Sequence, residues 1–128
     1  IANLFLPLFC AILFISIKKN LLFKFIYLGV ILIVLFLNLK FLFFSNTNIL
    51  HYVFGNWNKK IGIEFIYDTN SAIMLIYIYI IALFHFILYF NSIHIKKNII
   101  SFMLLYLTGI SGLILTNDIF NFYVFIEI

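Results

Sequence analysis

The chain has 128 residues, of which 66% are hydrophobic and 9% charged, whereas a water-soluble domain is roughly half apolar and a quarter charged. This much apolar surface excludes a water-soluble fold and indicates an integral membrane protein. The formal net charge of +4 comes from eight lysines, and six of them form pairs at the ends of apolar runs: Lys18-Lys19, Lys59-Lys60 and Lys96-Lys97. Lysine pairs in such places orient membrane spans, so no nucleic-acid partner is predicted.

The apolar runs predict an all-α membrane fold with four transmembrane helices and the first half of a fifth, in one membrane region over 1–128. A span needs about 20 apolar residues. The first run, 2–17, has Pro7 near its start, where a proline disturbs a helix least. A cleaved signal peptide is the alternative, but the basic residues follow this run instead of preceding it. The second run, 21–44, is long enough to cross with some tilt.

A polar loop over 45–68 follows the second span. Within it, the turn residues Gly55-Asn56-Trp57-Asn58 precede a stretch, 61–67, in which apolar residues roughly alternate with Gly or Glu. This pattern predicts a small hairpin. Trp57 is interpreted as an anchor at the membrane interface in preference to a stacking platform for a ligand.

The remaining spans are predicted over 70–90, 98–116 and 119–128. Polar clusters that can cap a helix precede the third and the fifth: Asp68-Thr69-Asn70-Ser71 and Thr116-Asn117-Asp118. The ten residues of the fifth helix extend about 15 Å, to the middle of a bilayer. In the fourth span, Thr108-Gly109 and Ser111-Gly112 are small residues that allow close packing of neighbouring helices.

The distribution of lysines predicts the topology. The loops after the first and third spans carry five lysines, counting Lys24, and the loop after the second carries three, counting Lys40. This bias favours a cytoplasmic position for the loops after the first and third spans, and therefore an external N-terminus and an external hairpin.

Glu127 has the most apolar surroundings of any acidic residue in the chain. A carboxylate near the bilayer centre costs about 2.5 to 3.5 kcal/mol, so such residues face a protein interior or a hydrated cavity and are functional by default. The alternative is a protonated or snorkelling glutamate near a helix end. Because no lysine lies in the middle of a span, a balancing cation must come from outside this chain. Tyr123, one turn earlier, either donates a hydrogen bond to Glu127 or packs in an aromatic face.

Two further polar residues are candidates for supporting roles. Asp118 either caps the fifth helix, which the pattern favours, or takes part in ion binding. His85, inside the third span, either relays protons, since imidazole titrates near neutrality, or is a hydrogen-bonded packing residue. The single Cys10 forms neither a disulfide within the chain nor a cysteine metal site. No motif for a metal, a cofactor or soluble-type catalysis is found, and none is predicted.

Residues 115–128 resemble the start of the fifth helix of the D-type subunit in multisubunit Mrp-type cation/proton antiporters. Segments upstream resemble the hairpin and the third helix start of that family: Gly55-Asn56-Trp57, Ile61-Gly62-Ile63-Glu64 and Asp68-Thr69-Asn70-Ser71-Ala72-Ile73-Met74. The family pattern has glycine where Asn56 and Asn117 stand. The same superfamily includes the proton-pumping membrane subunits of respiratory complex I.

This resemblance implies that Glu127 is the acid of an intramembrane Lys/Glu pair whose lysine lies on a later helix. The expected function is exchange of a monovalent cation such as sodium for protons, in the inner (plasma) membrane, together with other membrane subunits. Two alternatives stay open: a proton-pumping subunit of complex I, and an inactive remnant of a disrupted gene. Since family members have about fourteen spans, the chain is expected to be an N-terminal fragment.

Overall fold

A computed structural model describes residues 2–16, 20–44, 49–54, 63–89 and 97–128. Five helices and two strands occur within these ranges, in the order α1 (Ala2–Ser16), α2 (Asn20–Phe44), β1 (Ile49–Val53), β2 (Glu64–Asp68), α3 (Thr69–Tyr89), α4 (Lys97–Leu115) and α5 (Ile119–Glu127). The described part of the chain is therefore mostly helical, as predicted. The turn residues around Trp57 and the paired lysines at 18–19 and 59–60 lie outside the described residues.

Three described stretches are long and apolar enough to cross a membrane: Phe23–Phe44, Thr69–Leu88 and Asn98–Leu115. The apolar part of α1, Ala2–Phe14, is shorter. Many large apolar side chains on these helices are exposed, as expected for surfaces that face lipid or further helices. The chain is a multi-pass membrane protein.

The helices pack in pairs around one apolar core. α1 lies mainly against α4, and α2 against α3. Aromatic rings join them: Phe14 and Phe23 meet edge to face at 4.8 Å, and Tyr27 and Phe86 lie 5.2 Å apart. Such pairs contribute about 0.5 to 1.5 kcal/mol beyond burial of their area.

The two strands form a small antiparallel sheet in which Ile49 pairs with Asp68 and Val53 with Glu64. The sheet is attached to the bundle where β2 leads directly into α3. Asp68 caps α3, since its Oδ1 accepts from the backbone N–H of Ser71 at 2.8 Å and from the Ser71 hydroxyl. These bonds lower the pKa of the Asp68 carboxyl below its ordinary value of 3.8. The cap fixes the point where sheet gives way to helix.

A buried polar cluster lies beneath the sheet. Asn38 Oδ1 accepts from Asn3 Nδ2 at 3.0 Å and from the Tyr67 hydroxyl at 2.6 Å. Pro7 cannot donate to the carbonyl four residues earlier, that of Asn3, and the Tyr79 hydroxyl donates to this carbonyl instead, at 3.3 Å. The cluster therefore ties α1, α2, α3 and β2 together at one end of the bundle.

Candidate functional site

The α5 helix, which carries Glu127, starts at a well-defined cap. Asp118 has extended backbone angles, and its Oδ1 accepts from the N–H of Phe120 at 3.1 Å. The Thr116 hydroxyl accepts from the N–H of Asp118 at 3.3 Å. The structure thus gives Asp118 the capping role that the sequence favours, and a role in ion translocation stays a prediction.

Close packing of α5 on α4 depends on two glycines of α4. A Cβ atom on Gly112 would lie 2.2 Å from the Phe125 ring, and one on Gly109 would lie 3.1 Å from the Phe125 carbonyl oxygen. The Phe125 ring therefore occupies space that any side chain at position 112 would fill. This confirms the predicted role of the small residues of α4 in helix packing.

Glu127 lies on the opposite side of α5 from this contact. At about 100° per residue it is rotated by about 200° from Phe125, and its side chain is exposed. Phe120 and Tyr123, which lie on the same face, are 70% and 65% exposed. Within the part of the chain that the structure describes, the side chains of Glu127 and Tyr123 form no hydrogen bond or ion pair. The face that carries Glu127 thus points away from α4.

His85 is separate from this face. It lies on α3, where its Nδ1 contacts the Ile81 carbonyl oxygen at 3.2 Å. It also lines a cavity of about 340 Å³ between α3 and α4, to which Tyr27 contributes. Among the described residues, no hydrogen bond or ion pair links His85, Asp118 and Glu127 to one another. A proton-relay role for His85 stays a prediction.

Asn121 is a residue on α5 that sequence reasoning missed. It is 5% exposed, and its Nδ2 finds no hydrogen-bond partner among the described residues. An unpaired buried donor costs about 1 to 3 kcal/mol. The signal available in the sequence was an asparagine inside an otherwise apolar helix, the same signal that marks Asn38 in α2.

Glu64 and Asn117 form a contact that the sequence did not predict. The carboxylate of Glu64 accepts from Asn117 Nδ2 at 3.0 Å, and its backbone carbonyl accepts from the Asn117 N–H at 3.1 Å. Phe65, the next residue, forms a β-bridge with Thr116. The sheet is thereby attached to the connection between α4 and α5.

Comparison with known proteins gives two consistent results, although no family model matches the sequence. The proposed antiporter subunit mnhD2 of Staphylococcus aureus, in strains JH9, Newman and JH1, is 31% identical over 133 residues, covering 100% of this chain and 27% of the relative. A chain of the membrane-bound sulfane sulfur reductase, an archaeal respiratory membrane complex, has a TM-score of 0.84 and 24% identity, covering 98% of this chain and 27% of that one. The chain thus spans about a quarter of the length of the proteins it matches.

The helical bundle and these matches describe a multi-pass membrane protein that is similar to subunits of membrane complexes. The chain is homologous to part of the antiporter subunit mnhD2, and it has the fold of part of the reductase chain.

Proposed function

We propose that the chain forms the N-terminal membrane region of a subunit that exchanges a monovalent cation, such as sodium, for protons. In this proposal Glu127 is the acid of an intramembrane Lys/Glu pair. The observation that carries the proposal is the position of Glu127, which is exposed on the face of α5 directed away from α4, in a helix whose other residues are almost all apolar.

The depth of Glu127 supports a role inside the membrane. It lies eight residues after the start of α5 at Ile119, which corresponds to about 12 Å of helix rise. A hydrocarbon core is about 30 Å thick. Glu127 would therefore lie close to the middle of the bilayer, where a carboxylate requires a hydrated cavity or a charged partner.

A lysine from a helix outside the described bundle would supply the partner. Lys24 and Lys40 both lie near the ends of α2, so neither is at the depth of Glu127. A nearby positive charge favours the ionised form of a carboxylate. If the positive charge approaches or withdraws, the carboxylate releases or takes up a proton, which is the elementary step needed for coupled exchange.

The proposal extends to the arrangement in the membrane. α1 to α4 would each cross the bilayer and α5 would reach its middle, with the two-stranded sheet on the external side of the plasma membrane. Other membrane subunits, the lipid bilayer, protons and the transported cation would be the partners, and no cofactor is needed. The 31% identity to an antiporter subunit supports this function over proton pumping in a respiratory complex, because the likeness to the reductase chain supports the fold alone.

Substitution of Glu127 by glutamine tests the proposal in membrane vesicles that contain the complete antiporter complex. Glu127→Gln keeps the shape and removes the charge, so it should abolish or severely slow cation-dependent proton flux while the subunits still assemble. Asp68→Asn is the matched control, because it removes a carboxylate at the sheet end of the bundle, and its flux should match that of the unmodified complex.

Three results would contradict parts of the proposal. Unchanged flux in Glu127→Gln would remove Glu127 from the mechanism. Proton movement that depends on quinone reduction instead of on the cation would assign the chain to the complex I branch. Absence of flux in the unmodified complex would favour an inactive remnant.

A further inference from the structure

The connection between α4 and α5 is held by a residue of the sheet, Glu64. One carboxylate oxygen of Glu64, Oε2, accepts from Asn117 Nδ2 at 3.0 Å, and its backbone carbonyl accepts from the Asn117 N–H at 3.1 Å. The side chain and the backbone of Glu64 thus both form hydrogen bonds with Asn117. Two hydrogen bonds to one residue restrain both its position and its orientation.

The other carboxylate oxygen of Glu64, Oε1, contacts His51 Nδ1 at 3.0 Å. His51 lies on β1, two residues from Val53, which pairs directly with Glu64. The side chain of Glu64 is 16% exposed and that of His51 is 44% exposed. The carboxylate is therefore largely shielded from solvent and connects both strands of the sheet to the α4–α5 connection.

The contact between Glu64 and Asn117 restrains the direction in which α5 extends from the α4–α5 connection. Asn117 immediately precedes Asp118, the residue that caps α5. The Phe65 ring, next to Glu64, also lies 6.1 Å from the Phe125 ring of α5. This nine-residue helix is thus connected to β2 at Asn117, just before its start, and at Phe125, near its end, and it also packs on α4.

A small change in the direction of α5 produces a large displacement at Glu127. Over a lever of about 12 Å, a tilt of about 5° moves the carboxylate by about 1 Å. A misplacement of about 1 Å can cost roughly 100-fold in rate when groups must meet in a defined geometry. The contact at Asn117 is therefore placed to control a reaction that takes place ten residues further along the chain, at Glu127.

We propose that Glu64 is a positioning residue for Glu127: by holding Asn117, it sets the direction of α5 and so the place of the translocating carboxylate. This inference rests on the proposed function. Glu64 itself takes no part in proton transfer, because the amide of Asn117 and the backbone of α5 separate it from Glu127.

The test compares Glu64→Ala with Glu64→Gln in the complete complex, using two measurements. Hydrogen–deuterium exchange of the amides in 117–122 reports on the start of α5 independently of transport. Glu64→Ala should speed this exchange at least tenfold and lower the maximal rate of cation-dependent proton flux about 10- to 100-fold, with the KM for the cation unchanged. Glu64→Gln retains an acceptor for Asn117 and should restore both quantities to within about twofold of the unmodified complex.

Asn117→Ala is the reciprocal variant, and it also serves if Glu64→Ala fails to assemble. It should lower the flux as Glu64→Ala does, and the double variant should lose no more flux than Glu64→Ala alone, because Glu64→Ala already removes the side-chain contact with Asn117. Additive losses would overturn the proposal.

The remaining outcomes separate this inference from the proposed function. Unchanged amide exchange in Glu64→Ala would show that Glu64 does not hold α5. Faster exchange with normal flux would show that the contact does not position Glu127. Loss of flux in Glu64→Gln with normal exchange would assign a role to the charge of Glu64 and overturn positioning. If the unmodified complex shows no cation-dependent proton flux, the proposed function fails, and the positioning of Glu127 for that reaction fails with it. The hydrogen–deuterium exchange of the amides would still decide whether Glu64 holds α5.

Discussion

Replacement of Gly112 by alanine should loosen α5 from α4. The added methyl carbon would lie 2.2, 2.3 and 2.4 Å from Cδ1, Cε1 and Cγ of Phe125. Carbon atoms that pack favourably are separated by about 3.5 Å or more, so the helix or the ring must move by about 1.3 Å. Since Cγ is attached directly to Cβ, rotation of the ring about its own axis cannot remove the overlap.

The expected cost of Gly112→Ala is about 1 to 3 kcal/mol in the free energy of unfolding, the range measured when a methyl group is forced into a packed core. Reversible unfolding in mixed detergent micelles, followed by circular dichroism, measures this quantity. Gly29→Ala is the matched control, because a Cβ atom at position 29 of α2 meets nothing within 4 Å. Alanine favours helix over glycine, so Gly29→Ala should be neutral or slightly stabilising.

A second substitution identifies the contact that causes the destabilisation of Gly112→Ala. Phe125→Ala removes the ring, so adding Gly112→Ala to it should cost nothing further. Equal stability of Gly112→Ala and Gly29→Ala would refute the reasoning, because it would mean that α5 accommodates the methyl group without strain. A destabilisation that persists in the Phe125→Ala background would also refute it.

Three further predictions test other parts of the fold. Asn38→Ala should lower the free energy of unfolding by about 1 to 3 kcal/mol, since it leaves the Tyr67 hydroxyl without its acceptor. Tyr67→Phe should lower the free energy of unfolding by less, and an equal loss in the two variants would contradict this account. The folded state lowers the pKa of the Asp68 carboxyl. This carboxyl therefore stabilises the fold above about pH 4, which is the pKa of an aspartate in an unfolded chain. Its contribution to stability should disappear as the pH falls through the pKa of the folded state. A pH titration of stability should therefore show a smaller acid loss in Ser71→Ala, and an unchanged profile would exclude the cap as its source. Asp118→Ala should destabilise the start of α5 by about 1 kcal/mol, and Asp118→Asn should destabilise it by less, since asparagine also caps helices. Hydrogen–deuterium exchange of the amides at the start of α5 measures the effect of each substitution.

The membrane class and the helix starts could be predicted because they depend on local chemistry. Long apolar runs cannot be accommodated in water, and the four residues from Asp68 to Ser71 contain their own capping interaction. The small residues of α4 also predicted a close helix contact, since only small side chains allow two helices to approach. None of these inferences required knowledge of which segments are neighbours in space.

The tertiary structure alone decided which polar groups meet. Glu64 and Asn117 are 53 residues apart in sequence, and Asn3 and Asn38 are 35 apart. Each is a polar residue with nothing in its local pattern to name a partner. Likewise, the apolar sequence around Glu127 predicted a role for this acid in the membrane, but only the packing of Phe125 on Gly112 decided that Glu127 faces away from α4. A helix has several apolar faces of similar composition, and the neighbour against which it packs determines which of them remains open.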